Sequence, residues 1–249
     1  MRNHPQSVQT SMRSSGKRRR MARLLPALIL PAMALSGRSA DSAATAPPTA
    51  TISAGDTVAI ICLPDPERGF YRGTRFDWGS MIQSFRCGDK ELFAVWRHPD
   101  THPEVNGGAG PAEEFDSGLD GMTTPPGYHE AKIGESFLKI GVGWLKKEND
   151  QPYLPFFPFT VTDAGTWQVQ RLNDSTIRIT HTTDPTKKYA CRLTRTITIG
   201  DCPPQLTITR ELVNTGSAPL SSSHYCHNFI RMNGKPVGPG YELQLPFPA

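Results

Sequence analysis

No stretch of this 249-residue chain keeps helical periodicity over three turns, no two cysteines stand in a C-x-x-C pair, and no apolar run reaches the length a membrane-spanning helix needs, about 20 residues. The first absence excludes a helical bundle and the second argues against a zinc site built on paired thiolates. The third argues against stable membrane insertion. Charge is also sparse: the formal net value is +4, and much of the excess sits in the basic head around Lys17, Arg18, Arg19 and Arg20. Charge therefore gives no argument for a nucleic-acid partner.

Directly after that head comes an apolar run, Leu24 to Leu35, broken by Pro26 and Pro31 and trailed by the small residues Ser36, Gly37, Ser39 and Ala40. This is the pattern of a signal peptide, assigned to residues 1–40, with Met21 an alternative start. The expected location is periplasmic or secreted. Residues 41–54, rich in Ala, Thr, Ser and Pro, read as a flexible leader. A β-domain is expected over residues 55–249. Export would permit disulfides among Cys62, Cys87, Cys191, Cys202 and Cys226, and the odd count leaves at least one thiol over. Cys191 and Cys202 flank a turn at Gly200-Asp201 and are the best-placed pair, but buried free thiols are the preferred reading.

The body reads as strand after strand. Alternating or β-branched runs at Thr57–Leu63, Met81–Phe85, Glu91–Trp96, Thr166–Arg171, Thr176–Thr182, Ala190–Ile199 and Gln205–Val213 are punctuated by Gly, Pro, Asn and Asp. They imply an all-β antiparallel sandwich. Arg97 to Pro155 reads instead as a long Gly- and Pro-rich region, of a length that suggests a functional loop. Within it, His98 and His102 have H-x-x-x-H spacing, but Pro99 and Pro103 forbid the helix such a metal pair needs, so both are expected in solvent and no metal is expected.

The densest polar chemistry lies in Ala218–Asn233, A-P-L-S-S-S-H-Y-C-H-N-F-I-R-M-N. On an extended backbone His227 shares a face with Tyr225 and Phe229, whereas His224 shares the opposite face with Cys226 and Asn228, so only one imidazole can enter a given pocket. The strand Gln205–Val213, the turn Asn214-Thr215-Gly216 and the run His227-Asn228-Phe229-Ile230 come in that order. Upstream, G-S-M-I-Q-S-F-R-C-G-D-K-E-L-F from Gly79 forms a hairpin, preceded by Y-R-G-T-R-F-D-W and succeeded by G-P-A-E-E-F.

These segments, spanning Thr57 to Phe247, resemble the galactose mutarotase-like (aldose 1-epimerase) superfamily, and within it an exported bacterial branch. The resemblance implies a β-supersandwich and acid/base interconversion of sugar anomers, with His227 as the acid and no cofactor or metal. The implied ligand is a sugar or oligosaccharide end. A glutamate late in the chain serves the superfamily as base. This chain stops at Ala249 soon after the histidine strand, so a C-terminally truncated sandwich with open sheet edges is expected, inactive as it stands. Cys226 departs from the superfamily's asparagine before the histidine.

The candidate ligand-binding side chains are Arg75, Trp78, Glu114 and Lys139. Arg75 offers a fork of donors to vicinal hydroxyls, Trp78 a face for a pyranose, and Glu114 and Lys139 polar groups for a cleft. The competing arrangement pairs Arg75 with Asp77 on the surface and leaves Trp78 in the core. Glu113 is expected in solvent, and His181 on an exposed strand position. A carbohydrate-binding relic without catalysis, or a lyase or hydrolase on the same sandwich, remains open beside the epimerase.

Overall fold

Alternation of apolar and polar side chains is written into strand after strand, and the computed structural model, which describes residues 46–97, 107–201, 203–235, 237–242 and 244, has no helix among them. The fold is all-β and antiparallel. β1 (Thr49–Ala54), β2 (Thr57–Cys62), β3 (Ile82–Cys87) and β4 (Lys90–Glu91) form one sheet in chain order. β10 (Thr166–Asn173), β11 (Thr176–Thr182), β12 (Cys191–Gly200) and β13 (Gln205–Asn214) form a second meander. Between them in sequence lie β5 (Val95–Arg97), β6 (Gly108–Phe115), β7 (Ser136–Lys139), β8 (Gly143–Lys146) and β9 (Val161–Asp163). β7, β8 and β9 make a small sheet, and β6 sits between β5 and the late strand β14 (His224–Phe229).

The two meanders pack through an isoleucine-rich core. Ile52, Ala59, Ile61, Ile82 and Phe85 from the first sheet meet Ile177, Ile179, Ile197 and Ile199 from β11 and β12. β-Branched residues are stiff at χ1 and fit a pleated, half-buried surface, which is why this alternation forms strands and faces inward. A second core is aromatic: Phe76, Trp78, Tyr128, Phe137, Tyr153 and Phe159 interlock, with Tyr128 edge-on to Phe137 at 4.9 Å. Its Phe76 ring meets His227 of the candidate site edge-on at 5.5 Å.

Two turns join the sheets. Gly55 takes the left-handed conformation, φ +52°, that the β1–β2 hairpin requires. Next to it, the Asp56 amide and the Thr57 hydroxyl both donate to the Asp201 carboxylate in the β12–β13 turn, at 3.1 and 3.3 Å. The β3–β4 hairpin is fastened by Glu91, whose carboxylate accepts from the Ser84 hydroxyl at 2.5 Å and the Phe85 amide at 2.9 Å.

Two expectations change, and the free-thiol reading of Cys191 holds. The folded body starts inside residues 41–54, because β1 pairs with β2 from Thr49↔Cys62 to Ala54↔Thr57. Among its described residues the long region from Arg97 to Pro155 carries the strands β6, β7 and β8, and β6 is buried at every position. Cys191 opens β12 while the turn lies beyond Gly200, so nine residues of extended chain, roughly 30 Å at about 3.3 Å per residue, separate that thiol from the turn. A disulfide needs Cα atoms within about 7 Å. Cys191 is free and buried, and Cys202, like the basic head and His98 and His102, lies outside the described residues. No helix among the described residues is long and apolar enough to cross a membrane.

Candidate functional site

The site grows from one strand pair. β14 runs antiparallel to β6 with Tyr225 opposite Glu114 and His227 opposite Ala112. Residues directly opposite in an antiparallel pair share a face, so Tyr225, His227 and Glu114 project to one side. Cys226 opposite Glu113 and His224 opposite Phe115 project to the other. The division of the two histidines expected from strand alternation is the one observed.

Arg75 arrives from the irregular segment before β3 and ties this face together. Its Nε donates to Glu114 Oε2 at 2.7 Å, and its Nη2 lies 3.0 Å from the Tyr225 hydroxyl and 3.0 Å from His227 Nε2. The Tyr225 hydroxyl also lies 2.5 Å from Glu114 Oε2 and 2.7 Å from His227 Nε2. A guanidinium has no lone pair to offer, so Arg75 is the donor and His227 Nε2 the acceptor. The imidazole is then neutral, with its proton on Nδ1. Burial holds the His227 pKa below its ordinary 6.5, and the Arg75 charge beside it pushes the same way. Tyr225 is shifted oppositely: burial and the hydrogen bond to Glu114 push its phenol up to about 12.

This cluster forms one wall of a cavity of about 340 Å³, whose other walls include Leu119, Asp120, Met122 and Phe156. Arg75 stacks its guanidinium 4.6 Å from the Phe156 ring centroid. The loop carrying Asp120 is clasped to the approach of β14 by Asp116. That buried carboxylate accepts from the Thr123 hydroxyl at 2.5 Å, the Ser223 amide at 2.9 Å and the Ser222 hydroxyl at 3.1 Å. Asp116 and Asp120 both adopt positive φ, 51° and 52°, a conformation aspartate tolerates better than most residues.

Arg75, Glu114 and His227 are thus brought together, and the other two candidates are not. Lys139 on β7 is wholly buried, and its ammonium donates to the carbonyls of Phe115 at 2.5 Å and Asp116 at 3.3 Å. It supports the β6 turn from below rather than facing the cavity, and burial lowers its pKa to about 8. Trp78 is a core residue: its N–H donates to the Gly73 carbonyl at 2.7 Å and its ring stacks on Trp167. It lines no part of the cavity.

Several charged residues sit deeper than their types suggest. Glu113 is buried rather than solvated, ion-paired with Arg210 and 3.5 Å from His224 Nε2. Burial opposes its charge, but His224 and Arg210 outweigh that and hold its carboxyl well below the usual range. Asp77 pairs with Arg195, not with Arg75, and both are buried. His181 is buried as well, stacked on Trp167 at 4.1 Å with its pKa driven down to about 3 by desolvation. The residue sequence reasoning left without a role is Tyr225, although alternation had already put it on the His227 face. Among the described residues no group of three or more His, Cys, Asp or Glu gathers as a metal site. No protein-family model, curated protein or solved structure matches the chain.

Proposed function

We propose that this is an exported, aldose 1-epimerase-like protein that interconverts the anomers of a free sugar at the Tyr225–His227 pair, on a sandwich of the galactose mutarotase-like type. The observation that carries the reading is a proton-bearing phenol, Tyr225, which donates to Glu114 Oε2, and an acceptor, His227 Nε2, 2.7 Å from its hydroxyl at the edge of a cavity of about 340 Å³. Opening a sugar ring needs a proton delivered to the ring oxygen and one removed from the anomeric hydroxyl. Both oxygens are bonded to the same carbon, so their separation is close to that between the two catalytic atoms.

In this scheme the neutral His227 takes the anomeric hydroxyl proton while Tyr225 donates to the ring oxygen, the C1–O5 bond breaks and a carbonyl forms at C1. The phenolate left behind lies beside the Arg75 guanidinium and the new imidazolium, which offset its charge. After the aldehyde rotates, His227 returns its proton as the acid and Tyr225 recovers its own. The same imidazole is therefore base on opening and acid on closing. Glu114 fixes Arg75 and Tyr225 rather than meeting the sugar, since it is fully buried.

That burial also favours a second reading. Arg75 is held in place by the Glu114 carboxylate, which suits a carbohydrate-binding cleft without turnover. Anomer exchange measured by proton NMR on a panel of aldoses separates the two. Saturable exchange that falls by about 10²–10⁴-fold in His227→Ala supports catalysis, and sugar binding with no exchange supports the binding reading.

A further inference from the structure

On another part of the surface lies a cavity of about 540 Å³ that takes no part in the chemistry above, lined by Trp144, Tyr189, Glu130, Glu135, Lys187 and Lys188. We propose that it is a second binding site, for a neutral saccharide. Its walls combine aromatic faces with fixed donors and acceptors, the composition expected where a ring of CH groups and hydroxyls is to be held.

Three observations support this. The first is an unpaired donor: Trp144 is 5% exposed, and its indole N–H has no acceptor among the described residues. Buried N–H groups are rarely left so, and a ligand hydroxyl is a suitable acceptor. The second is that lysines of the same wall lie over the rings, with the Lys187 ammonium 4.8 Å from the Trp144 ring centroid and that of Lys188 5.2 Å from that of Tyr189. Lys187 is exposed, so its stem can swing aside and bare the Trp144 face beneath it for stacking.

The third observation is charge balance. Glu130 and Glu135 face Lys187 and Lys188, and the carboxylate of Glu130 is already engaged by Lys188 at 2.6 Å and the Tyr189 hydroxyl at 2.5 Å. No net charge is on offer to an anion or a cation. The remaining lone pairs and N–H groups suit hydroxyls, which both donate and accept. The site stands on its own geometry and does not depend on catalysis at Tyr225 and His227.

The test is tryptophan fluorescence and calorimetry of the full chain titrated with methyl β-D-galactopyranoside, cellotetraose and β-1,4-galactotetraose. The methyl glycoside has no free anomeric hydroxyl, so it is not turned over at the other site. Glycine betaine is the zwitterionic control. Expected is saturable binding of at least one saccharide with a change in emission that Trp144→Phe abolishes. Glu130→Gln, a surface change that spares the core should Trp144→Phe not fold, weakens binding by at least tenfold. Absence of saccharide binding overturns the proposal, as does binding that survives Glu130→Gln undiminished or an emission change that persists in Trp144→Phe. A response to betaine alone would also overturn it.

Discussion

Lys139 gives the sharpest quantitative handle on the interior of this protein. Its amine is completely buried against two backbone carbonyls, and desolvation brings its pKa from 10.5 to about 8. Between these values the unfolded chain holds a proton on this residue that the folded chain has lost. The unfolded state binds more protons, so stability rises with pH across that window. The full shift corresponds to roughly 3 kcal/mol, at about 1.4 kcal/mol per pKa unit, and the portion released between pH 7 and pH 9.5 is about 2 kcal/mol. Burial-raised thiols such as Cys62 and phenols such as Tyr225 pull the other way at alkaline pH. The comparison is therefore made against Lys139→Met, which keeps the length and removes the titration. Urea unfolding of both proteins at pH 7 and pH 9.5 should show the wild type gaining about 2 kcal/mol relative to the variant. A parallel pH dependence in the two proteins would refute the reasoning and mean that the amine titrates as though solvated.

Trp78→Phe should cost roughly 2 to 4 kcal/mol in the same unfolding assay, from the unpaired Gly73 carbonyl and the lost stacking on Trp167. Saccharide affinity should be unchanged; a selective loss of affinity would return Trp78 to the site. The anomer-exchange rate should rise with pH through the lowered pKa of His227 and be flat above about pH 6.5, because the neutral imidazole initiates the reaction. A rate that falls as pH rises through that range would make the imidazolium the initiating acid.

Local pattern was enough for β2, β3 and the meander β10 to β13, but not for β1 or for β6 to β9. Thr176–Thr182 was readable to the residue, and the opposite facing of His224 and His227 came from the period of two. Two signals were present but outweighed by residue type. His181 continues the inward row of Ile177 and Ile179, and Lys139 continues the apolar run Phe137-Leu138 into a strand whose last three positions are buried. Polar identity argued for solvent in the first and for a cleft in the second, whereas position decided both. The pairings of Arg75 with Glu114 and Asp77 with Arg195 were not legible at all, since they join residues 39 and 118 positions apart. Glu113 and Glu114 are adjacent on a strand and so face opposite ways, but that one meets Arg210 of β13 and the other Arg75 is set by residues far away in sequence.

The central claim, that Tyr225 and His227 act as one proton-transfer pair, is tested by anomer exchange and sugar affinity measured near pH 7 on the wild type, His227→Ala, Tyr225→Phe and His224→Ala. The account predicts that His227→Ala and Tyr225→Phe each lower the exchange rate by about 10²–10⁴-fold with affinity largely kept. His224→Ala, on the opposite face beside Glu113, should leave most of the rate. Equal losses at His224 and His227, or full exchange in Tyr225→Phe, would contradict it.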